Sequence, residues 1–324
     1  MHFAERKEFN SKVKSFIQKI HTSNKINKII SLPFKYVWYK LNDIEINKDD
    51  DYIFIVMANA LWIYDESIFN KLNKNKNVHM ICVLLDSMNI KTPMKDIVYK
   101  KMNKIKWDYI FTYDYIDAKK YEYEYLDEMY YSNNIMMNNV SKVKKGKYDA
   151  YFLGRLKPGR EKLIMDIYSK LKDNNIKCKF DIWLRDDDLK SIKNLELKEG
   201  INYFNKQKEY KETLEEIQKS NCIIEILQDG QQAQTLRYFE AVVFNKKLLT
   251  NNSNVVNLKF YNPKYMKVFK NIDEIDFNWI KEKNDCNYNY RNEFSPVNLI
   301  KKIENFYNLE EKFDDKSKCD STSV

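Results

Sequence analysis

Short apolar runs rich in β-branched and aromatic residues recur along this chain, each bounded by polar turns. Residues 51–61, 78–87 and 107–114 read as strands, and 65–73 and 93–104 between them carry helical spacing. The runs are continuous rather than alternating, as strands covered on both faces are. Residues 132–149 are polar and without period, and read as a linker. The alternation then restarts, with strands predicted at 148–154, 176–184, 201–205, 221–227, 246–252 and 267–275. Helices are predicted at 160–174, 208–220, 235–244 and 296–308. An amphipathic helix opens the chain, with Val13, Phe16, Ile17 and Ile20 at helical spacing. Strand–helix alternation of this kind predicts an α/β protein, two Rossmann-like domains of parallel sheet with crossover helices.

Ligands of such sheets bind outside the carboxyl ends of the strands, so the residues just after each strand carry the candidate chemistry. After 148–154 comes FLGRLKPGR (152–160). Gly154 permits a close backbone approach, the following helix offers unpaired N–H groups to an anion, and Arg155 and Arg160 suit a phosphate. An ordinary strand-to-helix turn with surface arginines has the same pattern. Yet Arg is scarce beside Lys in this chain, and two fall in this one turn.

The second constellation runs from 223 to 252. A strand ends at Leu227, a polar loop spans Gln228 to Gln234, and a helix begins near Thr235. Thr235 and the loop amides suit a diphosphate, Arg237 its charge, and Glu240 the hydroxyls of a ribose. Alternatively Arg237 and Glu240 form a surface pair three residues apart. Glu240 stands in YFEAVVF (238–244), where a carboxylate is costly to bury without a partner. On the ligand reading, Glu240→Ala weakens binding with little effect on folding. In the first half, Asp86 and Asp114 end apolar runs and are candidates for a general base, or for caps of the following helices; Asp117 is a weaker one.

The segment from the polar loop through TLRYFEA (235–241) to KKLLTNN (246–252) resembles the nucleotide-sugar-binding motif of GT-B glycosyltransferases. It is most similar to bacterial enzymes of capsule, exopolysaccharide and lipopolysaccharide synthesis; VLLDS (83–87), YIFTYDYIDAKKYEYEYL (109–126) and FYNPKY (260–265) fit the same group. The resemblance implies an acceptor-side domain over 1–140, a nucleotide-sugar domain over 141–290, a C-terminal helix over 291–312 and a disordered tail over 313–324. It implies sugar transfer to a glycan or lipid-linked acceptor, with no cofactor and no metal. Glu240 matches the second acid of an E-x7-E pattern, whose first position is held by Gln232. Arg155 and Arg160 match basic residues facing the diphosphate, and Tyr203 falls where the nucleobase is held. Two other readings remain: a metal-dependent transferase using Asp186, Asp187 and Asp188 after the strand KFDIWL, and a non-enzymatic partner subunit that keeps the fold.

Composition changes this picture at three points. The formal net charge is +9, but acids and bases are interspersed and no recognition element accompanies the charge, which argues against a nucleic-acid partner. The exception is the acid-free stretch with Lys12, Lys14, Lys19, Lys25, Lys28, Lys35 and Lys40, which is either a solvated helix face or suited to anionic lipid headgroups. Five widely spaced cysteines without a CxxC pair read as reduced thiols. No apolar segment is long enough to span a bilayer. The expected location is the cytoplasm, with possible attachment to the inner face of the cell membrane.

Overall fold

The computed structural model describes residues 6–23, 26, 32, 34–62, 64, 66–88, 93–126, 146–157, 159–185, 196–206, 208–228, 231, 233–283 and 285–319. Asp186, Asp187, Asp188 and Gln232 lie outside them, as does most of the 132–149 linker. The chain divides into two compact units, Met1–Leu126 and Asp127–Val324.

The first unit begins with helix α1 (Lys12–His21) and continues as β1 (Tyr52–Met57), α2 (Glu66–Leu72), β2 (Val78–Leu84), α3 (Pro93–Met102), β3 (Tyr109–Thr112), α4 (Tyr115–Tyr121) and β4 (Glu124–Tyr125). The strands form one parallel sheet in the order β1-β2-β3-β4. β2 is buried along almost its whole length, as its unbroken apolar run predicts. The pattern did not show α4. Five of its seven residues are charged or aromatic, and its start is fixed by a cap rather than by an apolar stripe.

The second unit is β5 (Tyr148–Arg155), α5 (Glu161–Asp173), β6 (Cys178–Trp183), β7 (Asn202–Phe204), α6 (Tyr210–Lys219), β8 (Ser220–Glu225), α7 (Leu236–Val243), β9 (Lys247–Thr250), β10 (Met266–Val268), α8 (Phe277–Lys281) and α9 (Pro296–Cys319). Its parallel sheet has the order β10-β9-β8-β5-β6-β7. Counted from its own first strand, this is the doubly wound order seen from the far edge, and the winding reverses between β5 and β8. One face buries Phe152, Phe180, Ile182 and Ile224 under α5 and α8. The other buries Tyr151, Ile223 and Leu248 under α6 and α7. α7 is apolar nearly all round and is buried from Tyr238 to Val243.

The fold is thus the α/β class that the alternation predicts, two parallel sheets with crossover helices. α9 runs on past Asn308 into the segment read as a disordered tail, reaching Cys319. After Pro296 no Gly or Pro interrupts it, and its Lys, Glu and Asp residues tolerate a helix. Cys82, Cys178, Cys222 and Cys286 are free thiols, and burial pushes Cys82 and Cys222 up to about 12. Among the described residues no helix is long and apolar enough to cross a membrane.

Candidate functional site

The winding reverses between β5 and β8, and both sequence constellations lie at the carboxyl ends of those strands. Arg160 binds the two ends together. Its Nη1 donates to the Ile226 carbonyl (2.8 Å), and its Nε and Nη2 donate to the Arg155 carbonyl (3.1 Å for Nε). The guanidinium expected to face a diphosphate is therefore spent on backbone oxygens, because the diverging strand ends leave these carbonyls outside the ladder. A second link joins the same loops: Lys157 Nζ donates to Gln228 Oε1 (2.9 Å). Neither Lys157 nor Gln228 was singled out by sequence, since the pairing spans 71 residues.

Gly154 has a local reason to be glycine. A Cβ there would meet the Phe152 ring at 2.5 Å and the Arg160 Nη2 at 3.3 Å. Phe152 is buried and packs against Phe180 at 5.0 Å between ring centroids, so it has little room to yield. Gly154→Ala is therefore expected to destabilise the protein by about 1–3 kcal/mol. Urea unfolding of the two proteins checks this, and an unchanged midpoint would refute the packing argument. Gly159, with φ of 94°, turns the chain from this loop into α5 in a conformation that favours glycine.

At the β8 side, Thr235 caps α7: its hydroxyl accepts from Arg237 N (3.1 Å) and donates to Glu225 Oε1. The hydroxyl assigned to a diphosphate is thus engaged at both ends. Glu225, the last residue of β8, also accepts from the Thr250 hydroxyl. It is buried, and desolvation raises its pKa. Gln234 is buried beside this cap. Glu240 lies one turn into α7 with 0% exposure, so it has no open reach to a ribose. Its carboxylate pairs with Arg237 Nη1 (2.6 Å) and accepts from the Tyr210 hydroxyl (2.9 Å). Burial raises its pKa to about 7, against the opposing pull of Arg237 and Tyr210 and with Glu225 adding to the rise. Glu240 holds Arg237 at the start of α7, where the Arg237 side chain is 13% exposed.

A second polar network lies on the same face of the sheet. Asp181, buried in β6, accepts from the Tyr151 hydroxyl (3.0 Å), Asn202 Nδ2 (2.7 Å) and Lys208 Nζ (2.7 Å). Sequence reading missed both Glu225 and Asp181. The available signal was an acid inside an apolar strand run, FDIW and IIEIL, the same signal that marked Glu240. Tyr203 belongs elsewhere. It sits on the edge strand β7 in register with Ile182, packs on the α5 side, and its hydroxyl accepts from Lys198 N (2.9 Å). Strand alternation turns its ring into that core.

In the first unit Asp114 is the cap of α4. It is 2% exposed and accepts from the N–H groups of Ile116 (2.8 Å) and Asp117 (3.2 Å). The capping alternative holds for it through Oδ1, and its burial keeps the carboxylate from the surface. Asp117 is also buried and accepts from Met88 N (2.6 Å), which shapes the loop after β2. Asp86, in that loop, is exposed.

No family model and no curated protein matches this chain. Among solved structures it is similar to a T4 phage BGT mutant in complex with UDP-glucose, at 15% identity over 74% of each chain with a TM-score of 0.43. It is similar to an alpha-glucosyltransferase in complex with UDP and a 13-mer DNA, at 13% identity over 64% of this chain and 62% of that one, TM-score 0.39. It is also similar to a trehalose-6-phosphate synthase studied with bisubstrate glycomimetics, at 10% identity over 79% of this chain and 71% of that one, TM-score 0.44.

Proposed function

We propose that the chain is a GT-B glycosyltransferase that moves a sugar from a nucleotide-activated donor to a glycan or lipid-linked acceptor, in cell-surface polysaccharide synthesis at the inner face of the cell membrane. The observation that carries this reading is the crowding of cationic groups at the β5–β8 reversal. Arg155, Lys157 and Arg237 stand at the carboxyl ends of the two strands, and the amino ends of α5 and α7 rise from the same loops. Such a place suits the two negative phosphates of a nucleoside diphosphate, and the same cations stabilise the charge that develops on the leaving group without a metal. Donor binding is assigned to the second unit and acceptor binding to the first. Asp86 is the candidate general base there, since its carboxylate is exposed at the end of β2 and Asp114 is engaged as a cap.

The test is a thermal-shift screen of the full chain against UDP, GDP, CMP, dTDP and their common sugars, each with Mg²⁺ and with EDTA. A ligand that binds only the folded state raises the midpoint by mass action; at 100 times its Kd the gain is about 2.7 kcal/mol. One nucleotide family is expected to raise the midpoint by several degrees, unchanged by EDTA. A shift that needs Mg²⁺ would favour the acidic run Asp186–Asp188.

The non-enzymatic reading, a GT-B-like partner subunit of a polysaccharide assembly complex, draws on a different observation. Arg160, Thr235 and Glu240 are all taken by partners within the chain. It predicts no shift with any nucleotide and no sugar transfer.

A further inference from the structure

Helix α1 is mounted the wrong way round for a soluble amphipathic helix. At 100° per residue Val13, Phe16, Ile17 and Ile20 fall on one stripe, while Ser15 and Gln18 fall on the opposite side. Such a stripe normally packs on the core. Here the polar side makes the attachments: Gln18 Nε2 donates to the carbonyls of Lys7 (3.0 Å) and Trp38 (3.4 Å), and the Ser15 hydroxyl donates to the Phe9 carbonyl (3.2 Å). The His21 ring lies edge-on to Trp38 at 5.5 Å, closing the same attachment. Val13 is left 67% exposed, Phe16 63% and Ile17 39%, and no residue of the helix is buried.

The charges are ordered about that stripe. Lys12 and Lys19 border it on one side, Lys14 and His21 on the other, and no acid lies between Lys12 and His21. A protein partner or a second copy of this chain would need a complementary acidic rim around an apolar pocket. A bilayer with anionic headgroups supplies both at once: acyl chains for Val13, Phe16 and Ile17, and phosphates for the flanking lysines. We infer that α1 is a docking helix that lies in the plane of an anionic lipid surface with Val13, Phe16 and Ile17 inserted. This names the device by which the chain reaches the membrane placed in the functional proposal. It does not rest on the transfer chemistry, because its test contains no nucleotide.

The experiment is flotation of the full-length chain with vesicles of phosphatidylcholine alone and with three parts in ten phosphatidylglycerol. The wild type is expected to float with the anionic vesicles and to stay behind with the neutral ones, and 0.5 M NaCl should weaken the association. Val13→Ser with Phe16→Ser should lower recovery about tenfold or more. Lys12→Gln, Lys14→Gln and Lys19→Gln together should remove the preference for anionic lipid. These side chains are exposed, so the thermal midpoint should stay within about a degree; Phe16→Glu alone serves as a second variant should the pair unfold. Equal recovery with both vesicles, or unchanged recovery of folded Val13/Phe16 variants, would overturn the inference. So would a wild-type dimer in sedimentation velocity that these variants dissociate while no vesicle binding occurs, since the stripe is then a contact between copies.

Discussion

Glu240→Gln is expected to make the protein more stable than the wild type above neutral pH and to flatten much of its stability change between about pH 5 and pH 8. The carboxyl is wholly buried, and its pKa rises from 4.5 to about 7. The folded state therefore holds this proton more tightly than the unfolded chain does. The stability this contributes is complete below pH 4.5 and is lost as the pH rises through about 7. At 1.36 kcal/mol per unit the shift amounts to roughly 3 kcal/mol. For a unit the size of Asp127–Val324 that is on the order of 6–12 °C in midpoint. Glutamine keeps the shape and can still meet Tyr210 and Arg237, but it carries no titrating proton.

The comparison is made on differences, because other carboxylates and lysines titrate alike in both proteins. Melting wild type and Glu240→Gln in matched buffers from pH 5 to pH 8 gives two slopes. Parallel slopes would show that Glu240 is not the titrating group. Glu225 shifts in the same direction from the same burial, so part of the slope should survive in the variant. Glu240→Ala should behave differently. It leaves Arg237 and Tyr210 without their partner and opens a cavity under α7, so it destabilises at every pH by about 2–4 kcal/mol. Burial thus reverses the sequence-based expectation of little effect on folding.

That reversal shows what the pattern of residues does and does not carry. Most strands of both sheets were legible as apolar runs between polar turns, from IFIVM (53–57) to KLLT (247–250), whereas the two-residue edge strand β4, with Glu124 in it, was not. The order β10-β9-β8-β5-β6-β7 was not, since nothing in a buried run states which run lies beside it. The place where the winding reverses was legible once that order was known. The fate of its side chains was less so. Arg160 finds its acceptor 66 residues away in sequence, and such a bond leaves no local trace. The premise about Glu240 was sound, for a carboxylate in YFEAVVF does need a partner. The pairing with Arg237 was among the sequence readings, as a surface pair; what sequence could not supply was that the pair is buried and that Tyr210 from α6 joins it. Glu225 and Asp181 gave the same signal and could have been found by applying the same rule to every strand.

The two arginines at the β5–β8 reversal should fail in different ways when truncated. Arg160 donates to carbonyls at the ends of both β5 and β8, so Arg160→Ala removes charge-assisted bonds and leaves those oxygens without their donor. Each such bond is worth about 1.5–3 kcal/mol. The loss should appear as a midpoint lower by roughly 5 °C or more, with nucleotide affinity falling only as the loops loosen. Arg237→Ala removes the cation that Glu240 holds at the start of α7. Without it the carboxyl, already raised to about 7, keeps its proton at neutral pH, which spares the fold the cost of a lone buried charge. Stability should therefore change little at pH 6. Affinity for the nucleoside diphosphate that shifts the wild type should fall about tenfold to a hundredfold, as loss of one charge-assisted contact to phosphate requires. Calorimetric titration and melting of both variants separate the two outcomes. If Arg237→Ala binds the nucleotide as the wild type does, the anion site is not at the start of α7. If Arg160→Ala melts with the wild type, the carbonyl staple does not hold the strand ends, and Arg160 returns as a candidate for the phosphate.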